Sequence, residues 1–117
     1  MMGRKFVNGV EGGSVSVDDR GLQYGDGLFE TMGATNGRVR RFQSHMARLT
    51  EGCHRLGMPP PPVDLIETDC LRALEGFGAA VVKLTLTRGP GPRSYPPPAE
   101  PSLTRIVVST AQQVSES

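Results

Sequence analysis

The sequence has almost no net charge, no long apolar run, no internal repeat and few cysteines, and each shortage removes a class of function. Thirteen Lys and Arg against twelve Asp and Glu leave a net charge of +1. No basic run is longer than two residues, which excludes the footprint of a nucleic-acid or membrane-surface protein. The apolar stretch nearest the start is far too short for a signal-peptide core or a membrane span, so the expectation is a soluble, cytoplasmic protein. Cys53 and Cys70 lack a CxxC spacing, which suggests neither a zinc knuckle nor a disulfide framework but two reduced core residues. There is no Gly-x-Ser-x-Gly, no pair of acids with separate acid and base roles, and no cysteine in an electropositive setting.

What is present is a turn-rich chain. At 117 residues it is one domain, long enough to bury roughly two thirds of its unfolded surface. Asn8-Gly9 and Asn36-Gly37 each join two β-prone runs, and this dipeptide most readily supplies the positive φ angles of a tight hairpin. The strand from Leu28 to Ala34 is expected to be partly buried on both faces. From Ser44 the period changes: Met46, Leu49, Cys53 and Leu56 form one helical stripe, with Ser44 as N-cap and Gly57 as stop. "MPPPP" breaks the chain, and a second helix is expected from Val63 to Glu75 with Val63, Ile66, Cys70 and Leu74 inward. "AAVVKLTLTRG" and "LTRIVVST" read as strands, while "PGPRSYPPPAEPS" between them excludes regular structure. Four strands, two helices and two strands predict an α+β fold, an antiparallel sheet with two helices packed on one face.

The densest stretch is "DDRGLQYGDGLFET", Asp18 to Thr31. Its G-x-G has no third glycine and no Lys-Ser/Thr, and it runs on into a strand, so it does not fit a nucleotide-binding loop. Two readings stay open, a structural turn tied together by Asp19, Arg20 and Asp26, or the wall of a site. His45 and His54 lie nine residues apart on one helix and cannot share a metal, so no metal site is expected. Arg48 sits off the apolar stripe beside His45, Gly52 and Arg55, on a flank that is either solvated or anion-binding. Arg93 lies in the stiff loop "RGPGPRSYPPP", where a guanidinium fork could meet a carboxylate or simply be solvated. The proline runs read as rigid connectors ahead of polyproline ligands.

Four ordered motifs, "DDRGLQYGDGLFETM", "NG", "SHMARLTEGCHRLGMP" and "VVKLTLTRGPGPRSY", resemble the N-terminal small domain of the fold-type IV pyridoxal-phosphate enzymes. That family includes branched-chain aminotransferase, D-amino-acid aminotransferase and aminodeoxychorismate lyase, and the motif forms are most similar to the lyase. The resemblance implies that Arg48 contacts the phosphate of pyridoxal 5'-phosphate and that Arg93 and Tyr95 hold a substrate carboxylate. Phe29 occupies a substrate-binding position filled by tyrosine in the D-amino-acid aminotransferase, and the missing hydroxyl argues against that activity. Thr31 and Tyr24 are implied to lie near the site.

The same resemblance implies that the Schiff-base lysine lies beyond Ser117 in a second, larger domain, because neither Lys5 nor Lys83 matches its position. The expected whole is a homodimeric lyase with a small-molecule substrate, releasing pyruvate from 4-amino-4-deoxychorismate to give 4-aminobenzoate for folate synthesis. Residues 1–117 are then its small domain, inactive alone and without retained cofactor. The alternatives are a fragment of a branched-chain or D-amino-acid aminotransferase, or a non-catalytic binding module that kept the fold.

Overall fold

The computed structural model describes residues 3–91 and 102–112. Six strands and three helices follow in the order β1 (Gly3–Val7), β2 (Val10–Glu11), α1 (Arg20–Tyr24), β3 (Gly27–Thr35), β4 (Arg38–Val39), α2 (Phe42–Leu56), α3 (Val63–Ala73), β5 (Ala79–Thr87) and β6 (Thr104–Ala111). The strands form one sheet in the order β2-β1-β6-β5-β3-β4, and every pairing is antiparallel. Both hairpins form where Asn-Gly marks them: Asn8, Gly9, Asn36 and Gly37 all take positive φ, as a two-residue hairpin turn requires.

Alternation along the strands sorts the sheet into two faces. Met32 and Ala34 of β3, Val82, Leu84 and Leu86 of β5, Val107 of β6 and Phe6 of β1 point to one side and are buried. Met46, Leu49 and Cys53 of α2 and Ile66, Cys70 and Ala73 of α3 complete the same core. The fold is therefore α+β, with α2 and α3 on one face of an antiparallel sheet. Both cysteines are free thiols in this core.

Four local readings need correction. The opposite face is open along β3: Phe29 is 60% exposed and Thr31 is exposed too, so β3 is not buried on both sides, because α2 and α3 both pack on the other face. Helix α2 begins at Phe42, two residues before Ser44, with Arg41 at its N-cap in the left-handed region. Leu56 is exposed, and its inward place is taken by Met58, because the left-handed Gly57 turns the chain back. The amides of Gly57 and Met58 then bond the carbonyls of His54 and Cys53, the double bond of a Schellman ending. The fourth correction is α1, a short helix within the stretch for which no helix is expected; the side chain of Asp19 accepts from Gly21 N and caps it, and Gly25 closes it at φ 68°.

Candidate functional site

Three clusters surround the first half of β3. Strand β4 pairs only with Ala34 and Thr35, so from Gly27 to Met32 β3 has no strand on its outer side among the described residues. The clusters lie on the helical side of this border, on the open side, and at its N-terminal end.

On the helical side, Glu30 points inward with Met32 and Ala34 and is 7% exposed. A carboxylate on a core face costs several kcal/mol of desolvation unless it is paired, and α2 supplies two partners at i and i+3. Arg48 forks it, with Nε at 2.9 Å from Oε2 and Nη2 at 2.8 Å from Oε1. His45 Nδ1 lies 2.7 Å from Oε1. The hydrogen bonds from Arg48 hold the Glu30 carboxyl below the usual carboxylate range; burial opposes this, and His45 reinforces it. The Arg48 side chain nevertheless remains 70% exposed, so its guanidinium is anchored along one edge and presented to solvent along another.

On the open side, Phe29, Thr85 and Ile106 form one cross-strand row and Thr31, Lys83, Val108 and Lys5 the next. Lys83 Nζ sits 4.7 Å from the centroid of the Phe29 ring. Beside them lies a largely apolar cavity of about 350 Å³, lined by Val15, Leu22, Leu28, Phe29, Thr85 and Ile106 together with Asp19 and Thr87. Tyr24, at the end of α1, is half exposed, with Arg20 stacked at 4.9 Å from its ring centroid.

The N-terminal end is held by charge. Asp26 Oδ2 accepts from Arg20 Nε at 2.9 Å and from Arg88 Nε at 2.8 Å. Burial pushes the Asp26 carboxyl up, but the bonds from Arg88 and Arg20 outweigh it and hold it below its ordinary value. Arg88 also donates to the carbonyls of Leu56 and Gly57 at the end of α2. Asp19 accepts from Thr87 Oγ1 at 3.1 Å, and Arg20 N bonds Gly89 O. The segment from Asp18 to Asp26, the end of β5 and the end of α2 are thus one clasp, as the grouping of Asp19, Arg20 and Asp26 foresaw.

The sequence-derived site residues therefore divide. Arg48 joins Glu30 and His45 on the helical side, whereas Phe29 and Thr31 project from the open side of the same strand. Arg93 and Tyr95 lie outside the described residues. Glu30 was not anticipated, although it could have been: in the alternation of β3 it falls in phase with Met32 and Ala34, and a buried-phase acid requires cations nearby. For a phosphorylated cofactor the described residues offer a fitting anion contact in Arg48. They offer no lysine beside it, since both Lys5 and Lys83 are on the open face of the sheet.

Comparison with known proteins agrees with this architecture. The solved 4-amino-4-deoxychorismate lyase of Pseudomonas aeruginosa superposes with a TM-score of 0.83 and 41% identity over 96% of this chain and 41% of its own. The aminodeoxychorismate lyase of Vibrio harveyi is 32% identical over 79% of this chain and 34% of its own length. A putative branched-chain-amino-acid aminotransferase of Methanocaldococcus jannaschii is 35% identical over 74% of this chain and 31% of its own. The chain thus spans 31% to 41% of the length of these three proteins. The model of the family described as amino-transferase class IV matches residues 27–117, from the first residue of β3 through the strand of Glu30 and the helix of Arg48, and the chain belongs to that family.

Proposed function

We propose that residues 1–117 are the N-terminal small domain of a pyridoxal-phosphate-dependent 4-amino-4-deoxychorismate lyase. The observation that supports this best is the 41% identity, maintained over 96% of the chain, to the Pseudomonas aeruginosa lyase. In this reading the whole protein cleaves 4-amino-4-deoxychorismate to 4-aminobenzoate and pyruvate, in the cytoplasm and as a homodimer. The cofactor, when bound, supplies an electron sink beside the substrate amine.

The chain's own residues have defined tasks. Arg48 holds the cofactor phosphate through the guanidinium edge not used by Glu30, a charge-assisted contact suited to a dianion. Phe29, with the cavity beside it, provides an apolar wall for the substrate ring and excludes water from one side of it. Thr31 and Tyr24 border the same wall. Arg93 and Tyr95 are assigned the substrate carboxylate on their motif alone. The proton-moving lysine belongs to the larger domain, so the small domain by itself neither retains the cofactor nor turns over substrate.

The test compares purified residues 1–117 with a longer protein carrying the same domain. Pyruvate release from 4-amino-4-deoxychorismate, without 2-oxoglutarate, is expected from the longer protein only. Turnover by residues 1–117 alone, or a requirement for 2-oxoglutarate in the longer protein, overturns the proposal. A class IV aminotransferase is the second reading, favoured by the 35% identity to the Methanocaldococcus jannaschii protein; transfer from a branched-chain or D-amino acid would establish it. A natural product whose intact mass ends at Ser117 would instead support a free-standing binding module.

A further inference from the structure

We propose that Glu30 is a positioning residue that fixes Arg48 for a phosphate monoester, a role that rests on the reading of Arg48 as the phosphate contact. A guanidinium presents five N–H donors in a rigid plane and can therefore engage two partners along two different edges. Glu30 occupies the edge formed by Nε and Nη2, at 2.9 and 2.8 Å. His45 Nδ1 meets the same Oε1 at 2.7 Å, 3.5 Å from Arg48 Nη2, so the carboxylate is held by two side chains of α2. Glu30 is anchored in turn by β3, whose next inward residues, Met32 and Ala34, are in the core. The edge that includes Nη1 is left as the outward one on a side chain that is 70% exposed.

Charge and position make opposite demands here, which is what lets the inference be tested. As a negative charge beside Arg48, Glu30 weakens the attraction of any anion. As an anchor it removes the rotamer freedom that an exposed arginine would otherwise lose on binding, a cost of one immobilised side chain. If anchoring dominates, removing the charge weakens phosphate binding; if charge dominates, removal strengthens it.

The experiment titrates inorganic phosphate into the 117-residue protein and follows the Arg48 side-chain N–H resonances by NMR. In the wild type the Nε–H signal is expected to be sharp and protected, with a saturable phosphate shift, and Arg48→Gln should abolish phosphate-dependent shifts along α2. Glu30→Gln, nearly isosteric, should raise the apparent dissociation constant roughly three- to tenfold and expose the Nε–H to exchange. Glu30→Asp, which keeps the charge but shortens the reach, should also weaken binding and serves if the glutamine variant does not fold. Unchanged or tighter phosphate binding in Glu30→Gln, with Arg48→Gln still inactive in binding, overturns the positioning role and leaves the Arg48 reading standing. No Arg48-dependent shift in the wild type overturns both.

Discussion

Asp26 joins three segments through one carboxylate, and the consequences of losing it can be stated at the level of single groups. Asp26→Ala leaves Arg20, 2% exposed, and Arg88 without that acceptor, and breaking a buried pair from one side should cost about 3 kcal/mol. Chemical denaturation of the variant checks this. Asp26 and Glu30 both have depressed pKa values in the folded protein, so their stabilisation is complete above the unfolded values, about 4. It is lost as pH falls through the lower folded values. Thermal midpoints should therefore drop on acidification below about pH 4, and Asp26→Asn should flatten part of that drop. Burial raises both thiols, and that of Cys70, with Asp69 and Glu67 nearby, is pushed up to about 12. Neither should react with a thiol reagent at neutral pH until the protein unfolds, when two thiols appear.

Among individual residues, legibility followed chemistry. Arg48 could be picked out because a cation off an apolar stripe is visible in a linear pattern. Its partner Glu30 was missed because a lone acid in a strand shows its burial only once the phase of the strand is known. The clasp was half visible: Asp19, Arg20 and Asp26 are neighbours in sequence, but Arg88, 62 residues from Asp26, enters only through the pairing of β3 with β5.

Elements were legible where one local rule decided them, and not where tertiary contacts competed. Both Asn-Gly hairpins and the Gly57 helix stop depend on residues that tolerate positive φ, so they stand out in the sequence. The start of α2 does not, because Arg41, at φ 57°, takes a conformation its own side chain disfavours. Arg41→Asn, better tolerated there, should stabilise the protein by about 0.5–1 kcal/mol, measurable as a raised thermal midpoint. Gly27 opens β3 at a close approach to β5: an added Cβ would meet the backbone of Leu86 and Thr87. Gly27→Ala should cost about 2 kcal/mol by forcing the strands apart and perturb the amide resonances of Leu86 and Thr87 more than those of α3. Equal perturbation throughout would point instead to general destabilisation.

The whole molecule presents an uncovered face. Leu22 and Phe29, which line the apolar cavity, are each more than half exposed, whereas a monomer normally keeps such patches small. On the proposed reading, in which the chain is one domain of a lyase and spans about two fifths of the Pseudomonas aeruginosa protein, the other domain is the cover. Residues 1–117 alone should self-associate with rising concentration in sedimentation experiments, and Phe29→Ser should reduce it; a wild type that stays monomeric throughout counts against this account.

The order of strands also sets a schedule for synthesis. Strand β6 lies between β1 and β5, and Ser109 meets Arg4 across 105 residues of sequence. The β1–β2 hairpin emerges from the ribosome before the other strands and yet has no sheet to join until β6 has followed it. Closing so long a loop makes the last assembly step slow. A nascent chain halted before Thr104 would hold β1 and β2 out of register with everything else, waiting on the final strand.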